Sequence, residues 1–102
     1  MKTHLHTCNV IIHRSALQRY RQGIVSGAEK AGQVCKIIDQ LLASDPDCVD
    51  WDSGHPKDVA KLFCSGDRVV LYGCYLGMCL SVAEGTLRNK GVEVSFSPDG
   101  VF

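Results

Sequence analysis

Residues 67–99 read DRVVLYGCYLGMCLSVAEGTLRNKGVEVSFSPD. The apolar, β-branched run at 68–72, RVVLY, predicts a strand that stops at Gly73. Leu80, Ala83 and Leu87 then recur at helical spacing, which predicts a helix over about 78–90. Gly91 suits the end of that helix, and VEVSF predicts a following strand. Strand, helix, strand in that order is the unit of a parallel sheet, joined by a right-handed crossover.

The remaining segments extend the pattern. TCNVIIH at 7–13 is a short apolar run, the signature of a buried strand. RSALQRYRQGI at 14–24 is basic and polar, and fits either a helical turn or a loop. From Ser26 onward Ala31, Val34, Cys35, Ile38, Leu41 and Leu42 lie at helical spacing. Ser26 with Glu29 three residues on has capping-box spacing, and Pro46 ends the helix by Ser44. DCVDW at 47–51 is a short strand or a loop, and DSGHP is turn chemistry. A second helix is expected from about Pro56, with Val59, Leu62 and Phe63 as its apolar stripe and Gly66 as its end. The order is β-α-(β)-α-β-α-β. It predicts one α/β domain over 1–102, small and three-layered, with a mainly parallel sheet of three to four strands. So short a sheet has unfinished edges, which invite pairing with another copy, so a homo-oligomer is expected.

Length and charge narrow the function. A chain of 102 residues fits one domain with a thin core. Eleven Lys and Arg balance eleven Asp and Glu, which leaves no electrostatic footprint for nucleic acid or an anionic membrane. No apolar run reaches the ~18 residues of a membrane span. MKTHLHTCNVIIH has a basic start but lacks the apolar core of a secretory signal, so a soluble cytoplasmic protein is expected. The six cysteines include no Cys-x-x-Cys pair and mostly sit beside apolar segments. Reduced thiols packed as small hydrophobes fit that setting.

Two of those thiols, Cys74 and Cys79, fall in a strand-to-helix turn. In open parallel sheets, sites gather at the carboxyl ends of strands. A thiol at a helix start meets unpaired N–H groups and the positive end of the dipole, which favour a thiolate. The backbone amides of Leu76, Gly77 and Met78 could hold an oxyanion there. The bland alternative is that both thiols only fill space beside the sheet.

The segment GCYLGMCL, then GVEV from Gly91, then PDGV, resembles the isochorismatase-like cysteine hydrolases, which include the nicotinamidases. Gly73, Cys79, Gly91, Val94 and Asp99 fall in that family's frame without a gap, over roughly the last third of the chain. The resemblance implies an α/β fold and Cys79 as nucleophile toward a small amide-like ligand, with no cofactor. The family's turn usually carries Thr and Asp or Asn, where this chain has Leu76 and Gly77. The family's first strand ends in Asp, and that position holds His13; no lysine lies between Leu42 and Pro56 to match the family's catalytic Lys. The chain therefore looks like a trimmed version in which His13 could replace the Asp as base.

Weaker signals remain. DWDSGHP at 50–56 echoes a metal-holding run of some nicotinamidases, but Asp52 and His55 are too few ligands for a metal site, so none is expected. His4 and His6 read as a frayed terminus, and Arg14, Arg19 and Arg21 around Tyr20 as a solvated basic patch. Cys74, Gly77, Ala83, Leu87 and Gly91 also suit the spacing of rhodanese-type sulfurtransferases, which would make Cys74 the reactive thiol. That family's loop Arg and Ser are replaced here by Cys79 and Leu80. A non-catalytic, oligomeric binding module on an enzyme fold is the third class.

Overall fold

The structure is a computed structural model that describes residues 7–23 and 26–102. His4 and His6 lie outside the described residues. The strands are β1 (Thr7–Ile12), β2 (Val49–Trp51), β3 (Arg68–Gly73) and β4 (Glu93–Val101). The helices are α1 (Arg14–Arg21), α2 (Ala28–Ser44) and α3 (Cys79–Asn89), and Pro56–Leu62 forms a 3-10 segment. The four strands form one all-parallel sheet in the order β2-β1-β3-β4. The three-layer α/β architecture is the one the alternation predicts.

Both faces of the sheet are covered, which is why β1 reads as an unbroken apolar run rather than an alternation. Val10 and Ile12 point to one face, where Val69, Leu71, Val59, Leu80, Ala83 and Leu87 complete the core. Ile11 points to the other, against Leu17 of α1 and Ala31, Val34 and Ile38 of α2. Burying each large aliphatic side chain contributes about 1.5–3 kcal/mol. The 3-10 segment and α3 thus cover one face, and α1 with α2 the opposite face.

That division separates the two sides of the sheet's carboxyl edge. β1 leaves the sheet toward α1 and α2, whereas its neighbour β3 leaves toward α3 on the other face. Adjacent strands whose connections part to opposite faces leave a crevice at their carboxyl ends, the topological switch point where ligands of doubly wound sheets sit.

Two segments left open take one of their alternatives, and three local expectations change. Residues 14–21 are helical, because Leu17 is fully buried and anchors an otherwise polar segment on α2's face. Residues 49–51 are a strand, registered Val10↔Val49 and Ile12↔Trp51. Ser26 does not cap α2: the helix begins after Gly27, whose φ of 92° is left-handed, and the Ser26 carbonyl accepts from the Tyr20 hydroxyl at 2.8 Å. A Cβ at Gly27 would press on the Phe102 ring at 3.3 Å, so glycine sets the entry to the helix. The segment from Pro56 is 3-10 rather than α, closed by three-residue bonds such as Asp58 N–H to the His55 carbonyl, 3.0 Å. β4 runs on past VEVSF to Val101 through a bulge at Ser97–Gly100, where the Gly100 amide donates to Ser97 Oγ at 3.1 Å.

Candidate functional site

β3 ends against β1 so tightly that only glycine fits. Gly73 has φ 108°, and a Cβ there would collide with the Ile12 carbonyl oxygen. The next residue, Cys74, donates its amide to that same carbonyl at 3.1 Å, and its Sγ lies 3.5 Å from the His13 carbonyl. The Cys74–Tyr75 peptide is cis. The chain then turns through Leu76, Gly77 and Met78 into α3, whose first residue is Cys79. Phe102 straps the turn down: its amide donates to Gly73 O and its carbonyl accepts from Leu76 N, both at 2.8 Å.

The two turn thiols are chemically unlike. Cys74 is fully buried beside Ile11, Leu17 and Cys35, and burial pushes its thiol up to about 12. Cys79 is half-buried and lines an open groove of about 680 Å³. One wall of that groove is Gly77–Cys79 with Ser81 and Val82; the other is Gly54, His55 and Pro56, from the loop after β2. Among the described residues no carboxylate, lysine or arginine lines it.

The turn amides divide in the same way. Leu76 N–H goes to Phe102, and Met78 N–H to the Tyr75 carbonyl at 3.1 Å. Among the described residues the amides of Gly77 and Cys79 have no partner. Of the three turn residues expected to offer an oxyanion site, Gly77 keeps a free donor, Leu76 and Met78 do not, and Cys79 supplies the second one. Met78 and Leu76 contribute exposed apolar side chains instead.

His13 stands at the end of β1, one strand from Cys79's own, in a left-handed conformation with φ 55°. Its amide donates to the Trp51 carbonyl at 2.9 Å. It does not line the groove that contains Cys79; the cysteine it meets is Cys74, through its backbone oxygen.

The DWDSGHP stretch has structural employment. Asp50 pairs with Arg14 at 2.9 Å, which takes one arginine out of the basic patch. Asp52 Oδ1 accepts from both Ser15 N (2.8 Å) and Ser15 Oγ (2.9 Å), filling the N-terminus of α1. The Ser15 amide, with Arg14 and His13 nearby, holds the Asp52 carboxyl below its ordinary value. Among the described residues no cluster of three His, Cys, Asp or Glu side chains could hold a metal ion.

Two features near the groove escape a linear reading. His55 caps the 3-10 segment, its Nδ1 accepting from Lys57 N at 3.2 Å, and it faces the groove from the wall opposite Cys79. Trp51 Nε1–H is buried with no acceptor among the described residues, 3.9 Å from where a Cβ on Gly54 would stand, and does not itself line the groove. No signal in the sequence joins these residues to Cys79, because the contact is made only when the loop after β2 folds across the start of α3.

The fold and site define a doubly wound α/β domain with a thiol-bearing groove at its carboxyl edge, and none of the described helices is long and apolar enough to cross a membrane. Comparison with protein families, with curated proteins and with solved structures finds no match to this chain.

Proposed function

We propose that this domain is a reduced relative of the isochorismatase-like cysteine hydrolases, and that it hydrolyses a small amide-like substrate through a thioester at Cys79. One observation carries the reading: Cys79 is the first residue of α3, lines the carboxyl-edge groove, and stands beside two amides, its own and that of Gly77, that have no partner among the described residues. The Cys79 thiolate attacks the substrate carbonyl carbon, its proton having left to solvent through the open groove. The new C–S bond pushes the carbonyl electrons onto oxygen, where the two amides receive them. Collapse expels the amine, which takes a proton from water. A second water then cleaves the thioester, releasing the acid and the thiol. The buried Cys74, with its thiol pushed up to about 12, supports a sulfurtransferase far less well.

A second reading, a catalytically silent module that binds a small ligand or a second copy of itself, is favoured by one feature. Among the described residues the groove lacks the carboxylate and lysine that the family's chemistry uses. Assembly with another copy, on this reading, would use the exposed Leu76 and Met78 rather than the sheet edges. β2 is only three residues long, and β4 carries Pro98 and a bulge, both of which discourage edge pairing. A reducing, cytoplasmic setting belongs to both readings.

Limiting iodoacetamide at near-neutral pH, followed by peptide mapping, tests the choice. Cys64 is exposed and serves as an internal reference thiol. Labelling of Cys79 ahead of Cys64 is the hydrolase outcome, although Cys79 is the less exposed of the two. Labelling that simply follows exposure supports the silent module, and labelling of Cys74 first supports sulfur transfer.

A further inference from the structure

We infer that His55 is a second catalytic residue of the groove, an imidazole that donates its Nε2–H to the oxygen of a carbonyl substrate held at Cys79. The inference rests on the hydrolase reading of Cys79 and adds a group that reading does not contain.

The tautomer follows from one hydrogen bond. His55 Nδ1 accepts from the Lys57 amide at 3.2 Å, so in the neutral ring the proton sits on Nε2. An imidazole held in that way is a donor and cannot take the thiol proton at Nε2. It acts as an electrophile, in the manner of a neutral histidine that polarises a carbonyl. Pro56 and the 3-10 segment behind it fix the position of the ring's backbone. The groove wall opposite carries Cys79 and the free Gly77 amide, so a ligand filling the groove meets both.

The groove's lining offers the His55 ring, the Ser81 hydroxyl and the Gly77 and Cys79 amides, which among the described residues have no partner. That set matches a carbonyl compound.

The bond changes balance without an added reagent. The sulfur lone pair forms the C–S bond, the carbonyl π pair moves to oxygen, and the Nε2–H hydrogen bond strengthens as charge develops there. No proton leaves the imidazole. The leaving group departs with the electrons of its own bond when the carbonyl re-forms.

Two reagents separate this role from a structural one. p-Nitrophenyl acetate acylates a thiol through a tetrahedral oxyanion, whereas iodoacetamide alkylates it by displacement and forms none. Both are followed at Cys79 by peptide mapping of the whole protein. His55→Ala is expected to slow Cys79 acetylation about tenfold, in the range of one lost oxyanion donor or somewhat less. It should change alkylation by less than about twofold, since the same donor has no developing charge to meet. His55→Gln, which restores an N–H at a similar reach, should recover part of the acetylation rate. Equal slowing of both reagents, no slowing of either, or no recovery by Gln would overturn the proposal. If wild-type Cys79 is not acetylated at all while Cys64 is, the hydrolase reading itself fails and takes this role with it.

Discussion

The N-termini of α1 and α3 leave the same edge of the sheet from adjacent strands, toward opposite faces. At α1 the positive end is already filled: Asp52 accepts from Ser15 N and Oγ, and Asp50 holds Arg14 beside it. At α3 no side chain caps the helix, and among the described residues the Gly77 and Cys79 amides stay unpaired beside an open groove. The thiols repeat the contrast. Cys74 is buried on the α1 side and Cys79 meets the groove on the α3 side. A helix terminus is thus not a site by virtue of being a terminus. It stays open where the chain withholds its own carboxylate and a groove lies beside it.

The contrast is broken most severely at Gly73. Gly73→Ala places a Cβ against the Ile12 carbonyl at φ 108° and should cost more than ~3 kcal/mol, read as a large drop in urea midpoint or a failure to fold. Gly77→Ala, also at positive φ but in open space, should cost only about 1 kcal/mol. Similar losses at the two glycines would mean that the β1–β3 junction is looser than described.

A second test sharpens the difference between the thiols. With its thiol pushed up to about 12, Cys74 holds a thiolate fraction of only ~10⁻⁴ at pH 8. Native-state alkylation of Cys74 should be at least ~100-fold slower than that of Cys79, and should track global unfolding as urea is added. Rapid Cys74 labelling in the folded protein would remove the distinction between the two sides.

The smallest effect lies at the closed terminus. Asp52→Ala should cost about 1 kcal/mol, a typical cap loss, with no change in Cys79 labelling. Its folded pKa is depressed, so its stabilisation is fully present above the unfolded value of ~3.9 and is lost as pH falls through the lower folded value. Acid titrations of stability should therefore be flatter below about pH 4 in Asp52→Asn than in wild type.

The sequence made β3, α3 and β1 legible because each has a long apolar signal and a glycine or polar break at its end. It left α1 open between a helical turn and a loop, since the polar segment RSALQRYR is helical through the burial of one residue, Leu17. It left β2 open, since three residues carry no periodicity and only pairing with Val10–Ile12 makes them a strand. Ser26 looked like a cap because its spacing to Glu29 is right, yet the left-handed turn at Gly27 displaced the helix start. At the site, Cys79 and Gly77 were legible from their place in a strand-to-helix turn. His55 was not, because it reaches the groove through a loop separated from Cys79 by the whole of β3.

The account stands on acyl transfer at the opening of α3. Its most direct test is an acid quench during turnover of p-nitrophenyl acetate, with the acetyl group mapped by mass spectrometry. An acetyl thioester on Cys79 that forms and decays at the turnover rate is the predicted result. An acetyl group found only on lysines or Cys64, or one that stays on Cys79 without decay, would contradict it.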